Sequence, residues 1–316
     1  MGAIVVFLPN IFILYLIFGI FEDSGYMARV AFVVDRFMHK IGLHGKSFIP
    51  LVLAFGCNVP AIMATRTIEN ERDRIITILM IPFISCSARL PVYLLFARIF
   101  FPGRETLVVF SLYLTGIVIA ILVALFLRKV VFRGGLSDLI MDLPLYKFPY
   151  YKNVLQYAFL RTKAFLQKAG SIIFLASIFI WLLASLPYGV KYASDSSLIG
   201  KMGKIISPLL KPAGFGYWQI AVALIMGVVA KEVVVSTLGT LFGSGESLNF
   251  ALRNMFNSLS AYSFLLMSLI YTPCIATLGV IKKEAGIKWM VFSLFISILI
   301  GWLIATLFYQ IANFLV

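Results

Sequence analysis

The chain has 316 residues, 61% of them hydrophobic and 13% charged, with a mean hydropathy of +1.00. A soluble domain holds roughly 45–50% apolar residues, so this composition excludes a fold that faces water on all sides. The net charge of +14 sits in short connections between apolar segments. That pattern sets membrane orientation and meets anionic lipid headgroups. It lacks the basic runs interleaved with stacking aromatics that nucleic acid requires, so no nucleic acid is implied.

In chain order the apolar segments are 3–21, 48–64, 75–101, 107–127, 171–186, 219–241, 264–281 and 289–316, about eight candidate spans. Backbone groups in lipid must be satisfied internally, so these are helices or helix fragments. The fold class is all-α, a polytopic transmembrane bundle. The chain turns apolar directly after Met1-Gly2 without a basic n-region or cleavage site, so the first segment is expected to remain in the mature protein.

Residues 128–168 carry eight Lys or Arg against Asp138 and Asp142, which marks a cytoplasmic connection. Within it, 151–168 mixes apolar and basic residues and suits either an interfacial helix or an extension of the next span. If every later segment crossed fully, Lys282, Lys283 and Lys288 would lie outside, against the positive-inside pattern. One segment is therefore expected to be broken or re-entrant. The charge-alternating stretch 65–74 reads as a solvated loop and helix start, or as a coupling surface for a soluble partner.

Two parts of the chain look alike. Gly25, Ala28 and Arg29 followed by an apolar run match Gly227, Ala230 and Lys231 followed by another; Ser47-Phe48 leads to Cys57 and Ala61 as Ser263-Phe264 leads to Cys274 and Ala276. Paired halves with interrupted helices point to a transporter site at the repeat interface. Breaks are expected near Pro60 and Pro273, because proline removes an amide donor and frees a carbonyl one turn back.

All three cysteines stand beside such breakers and small polar residues: Cys57 with Asn58, Cys86 between Ser85 and Ser87, and Cys274 with Thr272. A thiol, a hydroxyl or amide, and a freed carbonyl together can replace the water shell of a divalent cation, and Fe(II) accepts sulfur as well as oxygen. Packing as small buried hydrophobes is the plainer alternative for the thiols. Arg89 and the Lys231-Glu232 pair are ionisable groups inside apolar sequence, where such groups face partners or cavities; Arg89 pairing with Glu232 is one arrangement. Glu22 and Asp23 close the first segment, where they form either a cation-attracting entrance or an interfacial rim. His39 and His44 read as residues of a polar connection, without metal-ligand spacing. Phosphate-loop, nucleophile-elbow and metalloprotease motifs are missing, so no enzymatic chemistry is read from these residues, and no bound cofactor.

The strings Glu22 to Arg29, Gly45 to Pro50, Gly56 to Thr67, Ser85 to Tyr93 and Tyr271-Thr272-Pro273-Cys274 resemble the membrane domain of the ferrous iron transport protein B (FeoB) family, over most of the chain. The resemblance implies two Gate-type repeats of inverted topology, Fe(II) as the transported ion in a prokaryotic cytoplasmic (inner) membrane, and Cys57, Cys86 and Cys274 as metal ligands. Asn58, Ser85, Ser87, Thr272, Glu232, Glu22 and Asp23 are the supporting residues of the pathway. It divides the chain into a first repeat with flanking spans (1–127), the basic connection (128–168), and a second repeat with the C-terminal spans (169–316). Family members carry a GTP-binding domain that is missing from these residues, so coupling to GTP calls for such a domain or a separate GTPase subunit; a homo-oligomer is compatible with the sequence. A Gate-type permease for an organic solute such as a nucleoside, and a non-transporting membrane scaffold for a GTPase, are the other readings.

The basic excess predicts that 128–168 and 282–288 lie on one side of the membrane. Single-cysteine reporters at Lys147 and Lys288, labelled in sealed cells, should show the same sidedness, and opposite labelling would refute the topology.

Overall fold

The computed structural model describes residues 2–132, 146–186, 196–243 and 245–315, so the middle of the basic connection, 133–145 with Arg133, Asp138 and Asp142, lies outside the described residues. All regular elements among the described residues are helical. They are α1 (Gly2–Asp23), α2 (Tyr26–Ile41), α3 (Phe48–Gly56), α4 (Asn58–Ala64), α5 (Glu71–Met80), α6 (Leu90–Phe100), α7 (Glu105–Val130) and α8 (Tyr151–Phe165). After them come α9 (Ser171–Ser185), α10 (Leu198–Leu210), α11 (Trp218–Met226), α12 (Val233–Phe242), α13 (Glu246–Met255), α14 (Ser258–Ile270), α15 (Ile275–Ala285) and α16 (Ile287–Leu315).

Among the described residues four stretches are long and apolar enough to cross a membrane: Glu71–Phe100, Glu105–Val130, Ser258–Ala285 and Ile287–Phe314. Two bent pairs raise the number to six, α1 with α2 at 81° and α10 with α11 at 104°. The sequence suggested about eight spans. Of the eight segments, 48–64 is cut into two short helices, 171–186 holds a helix of only 15 residues, and 219–241 is cut into two helices of which the first counts within the second bent pair. Three helices that the apolar segments did not contain, α2, α10 and α13, are amphipathic.

The four long stretches divide by environment. Leu107, Phe110, Leu114, Val118, Leu122 and Phe126 form an exposed apolar stripe on α7, and Phe295, Leu299, Leu303, Leu307, Ile311 and Phe314 another on α16. The four-residue spacing puts each stripe on one helix face, and an apolar face that wide has lipid as its natural neighbour. The stretches through α5–α6 and α14–α15, which carry Cys86 and Cys274, are mostly buried within the protein.

By contacts the chain forms two compact units, one of residues 1–86, 118–174 and 279–290, the other of residues 87–117, 175–278 and 291–316. In the first, α8 packs along α1, burying Val154 and Ala158. A π-turn at Leu166–Gly170 carries α8 on into α9, so 151–185 is one helical run. Phe132 stacks on Trp289 at 5.1 Å, which brings the start of the basic connection beside 282–288. The 65–74 stretch is less solvated than its charges suggested. Asn70 caps α5 by accepting from the amide of Arg72 at 3.0 Å, while Arg66 pairs with Glu284 and Arg74 donates to the Glu284 carbonyl at 2.8 Å.

In the second unit an aromatic cluster forms the core, with Phe96 and Phe264 at 4.6 Å and Phe215 and Phe256 against Phe264 at 5.6 and 5.8 Å. Helix α14 begins in a capping box: Asn257 Oδ1 accepts from the Ser260 amide at 2.7 Å, and Ser260 Oγ accepts from the Asn257 amide at 2.9 Å. Two end amides of a buried helix are thereby satisfied. Asn257→Ala should cost about 1 kcal/mol of stability, read as a lowered thermal-unfolding midpoint in detergent, and Asn257→Asp should recover most of it.

Candidate functional site

Each cysteine lies at an interruption of a helix. Between α3 and α4 the chain becomes extended at Cys57 (φ −154°, ψ 133°), whose amide still reaches the Leu53 carbonyl at 3.1 Å. The expected break near Pro60 therefore falls three residues earlier. Pro60 sits in the first turn of α4, where its missing N–H leaves nothing unpaired. Asn58 is buried, and its Oδ1 meets no hydrogen-bond partner among the described residues. Leu14 of α1 presses on Gly56, 2.7 Å from where a Cβ would stand.

The second interruption separates α5 from α6. After a 3-10 turn at Ile81–Phe83, which packs against α3 and α4, residues 84–86 leave helical geometry with Ser85 buried and Cys86 half-buried. Helix resumes at the 3-10 turn Ser87–Arg89, and Arg89 is only 1% exposed.

The second unit brings two interruptions together. One runs from 227 to 232 between α11 and α12, the other from 271 to 274 between α14 and α15, as the repeat and Pro273 suggested. Backbone joins them: the Ile275 amide donates to the Val228 carbonyl at 2.8 Å. Side chains join them too, because Lys231 Nζ donates to the Thr272 carbonyl at 2.6 Å and lies 3.4 Å from the Tyr271 ring centroid. Cys274 Sγ stands 3.0 Å from Thr277 Oγ1, and Thr272 Oγ1 is buried without a partner among the described residues. A thiol, two hydroxyls and a carbonyl already serving a cation thus gather where two helices are open.

Some of the charge pairings differ from expectation. Glu232 forms no ion pair among the described residues, with Arg89 or otherwise. Lys231 does not compensate it; the lysine charge is held by a carbonyl and an aromatic face, both good partners for ammonium. Asp23 has both oxygens engaged, Oδ1 by Lys147 at 2.9 Å and Oδ2 by the Tyr150 amide at 2.8 Å. Glu22, in contrast, borders a cavity of about 390 Å³ in the first unit with Lys46, Pro60, Met63, Arg66 and Tyr157. Burial and the neighbouring Glu22 hold the Tyr157 phenol above its ordinary pKa. Lys46 is bound to Glu69 at 2.7 Å, which keeps that carboxyl below the usual range.

Sequence reasoning did not single out Thr277, and it named Tyr271 only as part of the string that ends at Cys274. Thr277 was findable, since three residues after Cys274 at a helix start is one turn away. His39 is also not in a connection: it belongs to the last turn of α2, and Asp35, His39 and His44 come together.

A family model described as Gate, nucleoside recognition, matches residues 4–100 and 166–288, and one described as the C terminus of ferrous iron transport protein B matches 109–161. The helical fold with its paired interruptions is accordingly that of a Gate-type membrane protein. The Fe(2+) transporter FeoB of Staphylococcus aureus is 42% identical over 318 residues, covering 100% of this chain and 48% of the relative. That of Methanocaldococcus jannaschii is 44% identical over 326 residues (99% and 48%), and that of Campylobacter jejuni 39% over 332 residues (99% and 54%). The chain belongs to the FeoB family and spans about half the length of these relatives. No solved structure matches it.

The contact between the two interruptions depends on Gly227, where a Cβ would stand 2.1 Å from Tyr271 Oη and 2.5 Å from Val234 Cγ2. Gly227→Ala should cost about 1–3 kcal/mol through that overlap, seen as a lowered unfolding midpoint. Gly239→Ala, with nothing within 4 Å of the new Cβ, should leave the midpoint unchanged or raised.

Proposed function

We propose that this chain is the membrane permease part of a ferrous iron transporter, moving Fe(II) across a prokaryotic cytoplasmic membrane through its interrupted helices. The observation that carries the reading is that Cys57, Cys86 and Cys274 all stand at helix interruptions, in a chain whose relatives are named Fe(2+) transporters. Thiols at breaks offer soft ligands beside freed carbonyls, and a bound cation itself promotes their deprotonation. Asn58, Ser85, Ser87 and Thr272 supply oxygens, and Glu22 and Glu232 supply charge along the path.

Lys231 gives the second unit's interruption a resident cation. Its ammonium occupies the Thr272 carbonyl, so an arriving Fe(II) gains that oxygen only as the lysine moves away, and mutual repulsion drives the exchange. Hydrolysis of GTP belongs to a domain outside these residues or to a separate GTPase. One relative, from Porphyromonas gingivalis, is named as a fusion of Fe(2+) transport protein A with FeoB, and a small partner of that kind is part of the proposal. The three thiols favour iron over the organic-solute reading, because a nucleoside would be held by amide and carboxylate side chains.

Serine at Cys57, Cys86 or Cys274 keeps the size and replaces a soft donor by a hard one. In the longer protein, reconstituted in liposomes with its GTPase, each change should lower Fe(II) uptake about tenfold or more, by analogy with the loss of a metal-site contact, while elution and thermal unfolding stay as in the parent. Parental uptake by all three variants and their combination would reduce the cysteines to packing residues. Uptake of a nucleoside but not of iron by the parent would favour the solute permease, and uptake of neither the scaffold.

A further inference from the structure

We infer that Asp35, His39 and His44 form a second metal site, distinct from the cysteine-bearing interruptions, built for a first-row divalent ion. Their ligand atoms all lie within 4.8 Å of one another. Tetrahedral ligands at about 2.0–2.2 Å from a shared ion stand about 3.3–3.6 Å apart; Asp35 Oδ2 and His39 Nδ1 already lie 3.2 Å apart, so closure on a metal needs the widest of the three separations to shorten by about 1 Å. Two imidazoles and one carboxylate are the donor set that suits Fe(II) and Zn(II) rather than Mg(II) or Ca(II).

The corner is constructed to hold this set. Asp35 and His39 are one turn apart on α2, with Asp35 Oδ2 at 3.2 Å from His39 Nδ1. Helix α2 then stops at Gly42, whose φ of 88° favours glycine and turns the chain back so that the His44 ring reaches His39, at 5.6 Å between centroids. Gly45 comes so close to α2 that a Cβ would stand 2.1 Å from the Ala31 carbonyl oxygen. This approach lets the Gly45 amide donate to Asp35 Oδ1 at 2.7 Å, fixing one carboxylate oxygen and aiming the other at His39. Outer hydrogen bonds of this type orient the ligands of metal sites.

Charge favours a cation as well. Asp73 Oδ2 lies 3.6 Å from His44 Nε2, so a second carboxylate borders the site, with the Arg128 guanidinium beside it. His39 Nδ1 lies 3.1 Å from the Asp35 carbonyl oxygen; in the tautomer that carries a proton on this nitrogen, the metal takes the proton's place and the proton leaves to solvent.

His39 and His44 are the two histidines of the chain, which makes the test clean. The chain in detergent is treated with diethyl pyrocarbonate with and without one equivalent of Zn(II), both as it stands and with all three cysteines changed to serine. Zn(II) should slow modification of both imidazoles about tenfold in both proteins, and Co(II) bound to the triple-serine chain should lose about tenfold in affinity on His39→Ala or His44→Ala. Unprotected histidines in both proteins, or Co(II) affinity indifferent to both alanine changes, would overturn the site. The protection assay requires no histidine variant to fold. Loss of Fe(II) uptake in the serine variants alongside intact histidine protection separates this site from the transport pathway.

Discussion

A chain that opens its helices inside a bilayer must satisfy the freed backbone groups from within, because lipid supplies no hydrogen bonds and each unpaired group costs several kcal/mol. The rest of this structure depends on that constraint. At the 271–274 interruption the answer is direct: the Ile275 amide takes the Val228 carbonyl of the facing interruption, and Lys231 takes the Thr272 carbonyl. Each break mends the other, so neither can be closed without leaving the other's groups unpaired. At Cys57 the answer is local, with the amide returning to Leu53 one turn back.

The same constraint sorts the helices by environment. Uninterrupted α7 and α16 satisfy their own backbones and can present apolar stripes to lipid. The helices on either side of Cys86 and Cys274 cannot, and they are mostly covered by protein. Irregular backbone in membranes persists only where protein or a wet cavity shields it. Open carbonyls, buried hydroxyls and thiols therefore concentrate in the interior, where a cation crossing the membrane would need them. Lys231 shows how tight the electrostatics are there, since its charge is met by the Thr272 carbonyl and the Tyr271 ring face.

Much of this was legible in the sequence, and the failures have physical causes. Pro273 and the Lys231-Glu232 charges marked two interruptions correctly, because a missing amide and a buried charge both disfavour continuous helix in lipid. Pro60 misled by three residues because proline is well tolerated in a first helical turn, which moves the break upstream to Cys57. Hydropathy alone overlooked α2, α10 and α13, whose polar faces lower their average. Placing His39 outside a helix hid its one-turn relation to Asp35, and only the return of the chain at Gly42 brings His44 to both. The Arg89–Glu232 pairing failed because sequence shows which charges share apolar surroundings and not which carbonyls and rings stand nearer.

The claim at the centre is that the metal passes through the interrupted helices and is held there by sulfur and freed backbone oxygen. The most direct measurement is an anomalous-difference map at the iron edge from crystals of the longer protein loaded with Fe(II) without oxygen. The account predicts an iron peak at the 271–274 interruption, within about 2.3 Å of Cys274 Sγ, the length of a first-row metal–thiolate bond, with Lys231 withdrawn from the Thr272 carbonyl. Iron confined to carboxylates away from all three interruptions, with Lys231 still on Thr272, would contradict it.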